Sequence, residues 1–300
     1  MPRPFPFTLF SAAGGGGGCG DLVAESNIMH WWKLNDGAGL GASYYTLDSG
    51  NSGIGIIPTP YASTTGLATI ANIVGGDKSG TEDTLHFTGG GVYNYTKSRQ
   101  TTGLGFDTAG DVFSYSFWMK LRTTWAAAVA YPTFWCARPN GGAAIGGLRC
   151  YADPDGGTNP ALYFNVGDGW SAADRSGIDS TQQPDLVDKV GDWWHVVCVV
   201  DRSTSPNLGR IYVNAVAGTD QPGPLIPDPT NAADAPGGNY MFAGSYWFVL
   251  GGLAWSTGPS AHASYAPNFE MSDFRIYNIA LTEEQVTAIY CDGAGDWPPL

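Results

Sequence analysis

Between Val112 and Thr124 apolar and polar residues alternate: Phe113, Tyr115, Phe117, Met119 and Leu121 share one parity, and Ser114, Ser116, Trp118 and Lys120 the other. Side chains of an extended chain point alternately to its two faces, so the segment is predicted as a half-buried antiparallel strand. Shorter versions of the pattern recur. Residues 28–36 (IMHWWKLND) read as a first strand closed by a turn at Asn35, Asp36 and Gly37, and Leu85 and Phe87 alternate in 84–96 before a run of glycines. Residues 131–190 hold three further strand-like pieces, TFWCARP, GLRCYADP and ALYFNV, and 192–218 (DWWHVVCVVDRSTSPNLGRIYVNAVAG) reads as two strands joined by a loop. After a stretch with prolines at 222, 224, 227 and 229 come an aromatic strand pair at 239–255 and a strand at 271–280. A helix is predicted only at 281–290 (LTEEQVTAIY). There Thr282 and Gln285 have the spacing of a capping box, and Glu283 and Glu284 sit where the helix dipole favours acids.

Many short strands with one terminal helix describe an all-β protein. Composition agrees: the chain has 43 glycines, 20 prolines and 13% aromatic residues but only 14% charged ones. The residues divide into an N-terminal arm with a glycine hinge, 1–26, and one β-domain, 27–300. The arm (MPRPFPFTLF, then five consecutive glycines) is too broken by proline to form the apolar stretch of a signal peptide. It is expected to be extended, and Phe5, Phe7 and Phe10 are its candidate anchors on a neighbouring protein surface, where it could add as a strand. A net charge of −13 with scattered lysines and arginines excludes a nucleic-acid reader, which needs a basic stripe to displace counterions. The same charge suits neutral partners such as glycans or protein surfaces, or a cation such as Ca²⁺. No segment reaches the roughly 18 consecutive apolar residues of a membrane-spanning helix.

Chemistry-bearing residues are sparse. Cys198 sits among Val197, Val199 and Val200, an apolar setting that does not favour a thiolate, and His195 has no second histidine or cysteine at ligand spacing. Both read as strand residues. Cys136 and Cys150 flank a glycine-rich segment and could face each other across a hairpin; the alternative is that most of the five cysteines are reduced and act as small apolar residues.

Three pieces together carry a resemblance: Trp193, His195 and Val196; Tyr212, Val213 and Asn214; and Arg275, Ile276, Tyr277, Asn278 and Leu281 leading into the acidic helix. In that order, with the loop at 47–53 (LDSGNSG) and the strand at 113–121, they resemble the laminin-G-like, concanavalin A-like lectin/glucanase family, over about residues 28–291. The resemblance implies an antiparallel jelly-roll β-sandwich. Two departures matter. The family follows Tyr-Val-Asn with glycine, whereas here Ala215 stands, so the turn is expected to be longer or of another type. Catalytic members carry a Glu-x-Asp-x-x-Glu strand; the nearest match is Glu270 and Asp273, which strict alternation would send to opposite faces. The expectation is a protein that is not an enzyme.

The resemblance also directs attention to the 47–53 loop, where Asp48 and Asn51, with Asp273 at the start of the closing strand, are candidate Ca²⁺ ligands; a plain turn is the alternative. Trp170, Tyr246, Trp247 and Trp255 are candidate sugar-stacking residues, with a place in the core as the alternative. The functional expectation is a non-catalytic surface protein of a virion (decoration, spike or tail fibre), anchored by its arm to other assembly proteins or to copies of itself and exposed to host glycans. A secreted carbohydrate-binding module is the second reading, and a glycoside hydrolase the third.

Overall fold

The computed structural model describes residues 23–32, 34, 59–60, 70–73, 84–88, 96–100, 112–123, 131–139, 148–153, 161–166, 175–179, 183, 190–201, 203, 208–218, 246–252, 254–255, 258–261 and 267–294. In chain order the strands are β1 (Ile28–Trp32), β2 (Thr59–Pro60), β3 (Ile70–Ile73), β4 (Thr84–Thr88), β5 (Thr96–Gln100), β6 (Phe113–Leu121), β7 (Thr133–Pro139), β8 (Leu148–Asp153) and β9 (Ala161–Val166). They continue with β10 (Arg175–Asp179), β11 (Trp193–Asp201), β12 (Leu208–Val213), β13 (Val216–Ala217), β14 (Tyr246–Leu250), β15 (Ala254–Trp255), β16 (Gly258–Ala261) and β17 (Asn268–Tyr277). One α-helix, α1 (Glu283–Ala294), follows.

Two antiparallel sheets form a sandwich. The first runs β13-β12-β11-β6-β17-β4-β3, with β1 also paired to β17, and the second runs β10-β9-β8-β7-β14-β5-β2; β15 and β16 form a small ribbon. Inward-facing residues of both sheets meet in one aromatic-rich core. The indole of Trp135 lies edge-on to Tyr115 at 4.3 Å and to Phe274 at 5.2 Å, while Trp32 packs against Phe248 at 5.6 Å. Each such side chain contributes roughly 1.5–3 kcal/mol by leaving water.

The expectation of half-buried strands fails at β6, whose residues from Phe113 to Met119 are all buried. Its core parity is as predicted, but its other face is covered as well. Val23, Leu281 and Val286 form a second apolar cluster with Val197, Val199, Tyr212 and Tyr277 on the outside of the first sheet. Ser114 fastens this cover: its hydroxyl donates to the carbonyl of Ile279 (2.8 Å) and accepts from the amide of Leu281 (3.0 Å). The helix begins as predicted, with the Gln285 side chain accepting from the Thr282 amide at 2.9 Å and the Gln285 amide donating to the Thr282 hydroxyl at 3.3 Å.

β1 spans Ile28–Trp32, and the turn expected at 35–37 lies outside the described residues. One expectation needs correction. The turn after β12 is not longer than the family's: Asn214 and Ala215 alone join β12 to β13, with φ of 51° and 63°. Both central residues are left-handed, as a tight hairpin requires. Asn214 stabilises that conformation, its side chain accepting from the His195 amide (2.9 Å) and its own amide donating to the His195 carbonyl (2.9 Å). The pairing between adjacent strands therefore tolerates alanine where glycine is the easier residue.

The cysteines are also rearranged. Register sets Cys136 opposite Arg149 and Trp135 opposite Cys150. Cys136 and Cys150 thus project to opposite faces of the second sheet and do not meet across a hairpin. Cys136, Cys150 and Cys198 are free and buried, whereas Cys291 on α1 is disulfide-bonded.

Candidate functional site: the outward face of strand β17

β17 is an interior strand of the first sheet with three partners. Its first half pairs with β4 and its second half with β1, while β6 runs along its other side. Between Ser272 and Arg275 the register to β6 slips, because three steps on β17 match two on β6. The extra residue makes a β-bulge, and Asp273 within it has a φ of 54°. Core parity changes at this point: Phe269 and Met271 face the core before the bulge, Phe274 and Ile276 after it.

The bulge overturns the expectation that Glu270 and Asp273 point to opposite faces. Both carboxylates lie on the outward face, and Asp273 is in the middle of the closing strand rather than at its start. Glu270 is wholly buried. It accepts from Lys120 Nζ at 3.0 Å and from the Thr84 hydroxyl at 3.1 Å, and it is ion-paired with the Arg122 guanidinium. The Lys120 ammonium also sits over the indole of Trp193, 4.9 Å from the ring centroid.

Asp273 is held just as firmly. The Arg275 guanidinium grips it with two bonds of 2.9 Å, one to each oxygen, and the Trp31 indole N–H donates to Oδ1 at 2.6 Å. Arg275 in turn lies over the Trp31 ring at 4.5 Å. Burial works against the Arg275 charge, but Asp273 beside it more than offsets that, and the guanidinium is held above its ordinary range. The Tyr277 phenol, sealed under the helix, is pushed up by burial even though Arg275 and Ser116 stabilise its ionised form.

Chemically, this face carries two carboxylates that are each engaged by cations and by an N–H or O–H donor, with Glu270 Oε1 served by the Arg122 ion pair alone. A nucleophile needs a lone pair free to approach the sugar carbon, and the oxygens of Glu270 and Asp273 are instead turned to cations and hydrogen-bond donors. A hard cation at Asp273 would have to displace the bidentate arginine, and among the described residues no three His, Cys, Asp or Glu side chains converge on one point. His195 lies farther along the sheet with its ring tilted against Trp118 (4.9 Å) and stacked near Tyr290 of α1 (6.1 Å), wedged under the helix.

Of the other predicted site residues, Asp48, Asn51, Trp170, Phe5, Phe7 and Phe10 lie outside the described residues. Tyr246 and Trp247 are consecutive in β14 of the second sheet, with Trp247 paired to Arg99 and Arg138, whereas Trp255 belongs to the small ribbon, paired to Gly258. Asp273 is therefore in a different sheet from all three. The grouping of Trp31, Asp273 and Arg275 went unforeseen, yet one signal for it was present. The apolar residues Phe269, Met271, Phe274 and Ile276 are spaced two, three, two, and that break in period marks the bulge.

A family model described as the concanavalin A-like lectin/glucanases superfamily matches residues 89–287. No curated protein matches the sequence. Among solved structures, the binding domain of Paraclostridial Mosquitocidal Protein 1 is similar with a TM-score of 0.54 at 13% identity, covering 89% of this chain and 52% of that one. The botulinum neurotoxin serotype D binding domain is similar with a TM-score of 0.52 at 11% identity, covering 89% and 51%. The ligand-binding domain of the same serotype in complex with N-acetylneuraminic acid gives 0.51 at 11%, again covering 89% and 51%. The chain spans about half the length of these structures, and at such identities the similarity is one of fold.

Proposed function

Since the chain belongs to the concanavalin A-like lectin/glucanase superfamily, whose model covers residues 89–287, we propose that it is a non-catalytic recognition module that binds glycans. The observation that supports this reading is the state of Glu270 and Asp273. The bulge brings both carboxylates to one face, yet each is neutralised by its own cations. A hydrolase would leave at least one of them open to substrate. What remains is a rigid sandwich with a negative net charge of −13, suited to neutral sugars.

The finer proposal is display: residues 1–26 attach the domain to a larger assembly such as a virion, where the sandwich meets host glycans. Ca²⁺ assistance through the 47–53 loop belongs to the same proposal. Glycan-array binding of the purified chain, with Ca²⁺ and with chelator, tests the module. Saturable binding to one glycan class is expected. Silence on the array under both conditions, or release of oligosaccharides from a β-glucan, would overturn the reading. Deleting residues 1–26 should abolish incorporation into a particle while leaving glycan binding intact.

A further inference from the structure

The two sheets face each other through Tyr115. It lies on β6, where register pairs it with Cys198 of β11. Its ring rests edge-on against Trp135 at 4.3 Å and Phe164 at 5.3 Å, both on the opposite sheet. Trp135 and Phe164 are the residues that flank Cys150 across β7-β8 and β8-β9. Cys150 of the second sheet and Cys198 of the first are thus brought against the same tyrosine from opposite sides of the core. Both are entirely buried, both belong to the central cluster, and both are free thiols. The Tyr115 hydroxyl is buried with them and makes no well-formed hydrogen bond. Burial first, and then the neighbouring Cys150, pushes the Cys198 thiol up, while Tyr115 acts the other way.

We propose that Cys150 and Cys198 are the two halves of an inter-sheet disulfide that forms when the chain folds in an oxidising compartment. Cys291 is already disulfide-bonded, so a setting that maintains that bond would also oxidise a second adjacent pair. In the reaction, each thiol gives up one proton and one electron as the S–S bond forms. Glutathione disulfide accepts both electrons and both protons and leaves as two molecules of glutathione. A thiolate attacks first, and inside the closed core burial holds the Cys198 thiol in its protonated form. The bond is therefore made while the sheets are coming together, and the finished sandwich shields it from reductants. Cys136 is an internal control: it is equally buried but projects to the other face of its sheet, its thiol donating to the Gly252 carbonyl at 3.6 Å.

The test uses the full chain expressed once in an oxidising secretory compartment and once in a reducing cytosol. Free thiols are blocked with N-ethylmaleimide during denaturation, and unreduced digests are read by mass spectrometry. In the oxidised preparation most molecules are expected to yield a Cys150–Cys198 linked peptide, two hydrogens lighter than its parts, with Cys136 fully blocked. The reduced preparation should show all three blocked and a lower unfolding midpoint. Cys198→Ala, a volume-tolerant change, should return Cys150 to the blocked pool without producing any other link to it. The proposal is overturned if Cys150 and Cys198 are both blocked in the oxidised chain while Cys291 remains linked, or if Cys150 is found joined to Cys136.

Discussion

Replacing Glu270 with glutamine tests whether the outward face is organised around a buried charge. The substitution preserves volume and one acceptor oxygen but removes the negative charge that Lys120, Arg122 and Thr84 address. Removing one partner of a fully buried ion pair costs about 3–5 kcal/mol, because the remaining charge is stranded. Here only the carboxylate is wholly buried: the Lys120 side chain is 15% exposed and the Arg122 side chain 39%. The two cations can turn partly toward water, and exposed pairs are worth only about 0–1 kcal/mol. The expected loss for Glu270→Gln is therefore about 2–3 kcal/mol, read by urea denaturation as a lower midpoint at unchanged slope. Lys120→Met should cost less, about 1 kcal/mol, since Arg122 and Thr84 still serve the carboxylate. The double variant should show a coupling of about 1 kcal/mol or more, as expected for groups in direct contact. A Glu270→Gln loss below about 0.5 kcal/mol, or additive effects in the double variant, would refute the reasoning.

Three further outcomes are expected. Gly251→Ala should lose about 3 kcal/mol in the same assay, because its φ is 80° and an added Cβ would overlap the Phe87 ring; a neutral result would mean that Phe87 can move aside. Asn214→Ala should cost about 1–2 kcal/mol through the lost bond to the His195 amide, while Asn214→Asp, which keeps the acceptor, should cost less. Burial pushes up the Cys198 thiol and the Tyr115 and Tyr277 phenols, so above the ordinary thiol range the unfolded chain releases protons that the folded chain retains. In the reduced protein stability should thus be full below about pH 8.5 and fall as the pH rises through about 10. Tyrosinate absorbance should show the buried phenols ionising only with unfolding, and constant stability from pH 8 to 11 would contradict this.

The sandwich was legible because its signals are local. Period-two alternation located β6, the Trp-x-His-Val run located β11, and the capping pair Thr282 and Gln285 located the helix. What alternation alone could not show was the cover on the outward face, because the partners come from distant parts of the chain: Val23, Leu281 and Val286 meet Val197 and Val199 only after folding. The candidate site was misread at one residue. Counting three positions from Glu270 to Asp273 assumes an unbroken strand, and the single extra residue in the bulge reverses the answer. Ala215 misled in the same way: its residue type argues against a left-handed turn, and the bonds that Asn214 makes to His195 outweigh that preference.

The place of β17 has a consequence for how the molecule is made. The last strand in the described order is also an interior one, contacting β6, β4 and β1, and its partner β1 lies some 240 residues earlier in the chain. A chain emerging from the ribosome must therefore hold the two halves of the first sheet apart, with their apolar faces open, until translation is nearly finished. Such non-local closure is slow and leaves nascent chains open to aggregation. Premature termination anywhere before Asn268 would release a product lacking the strand that joins the sheet, rather than a smaller sandwich.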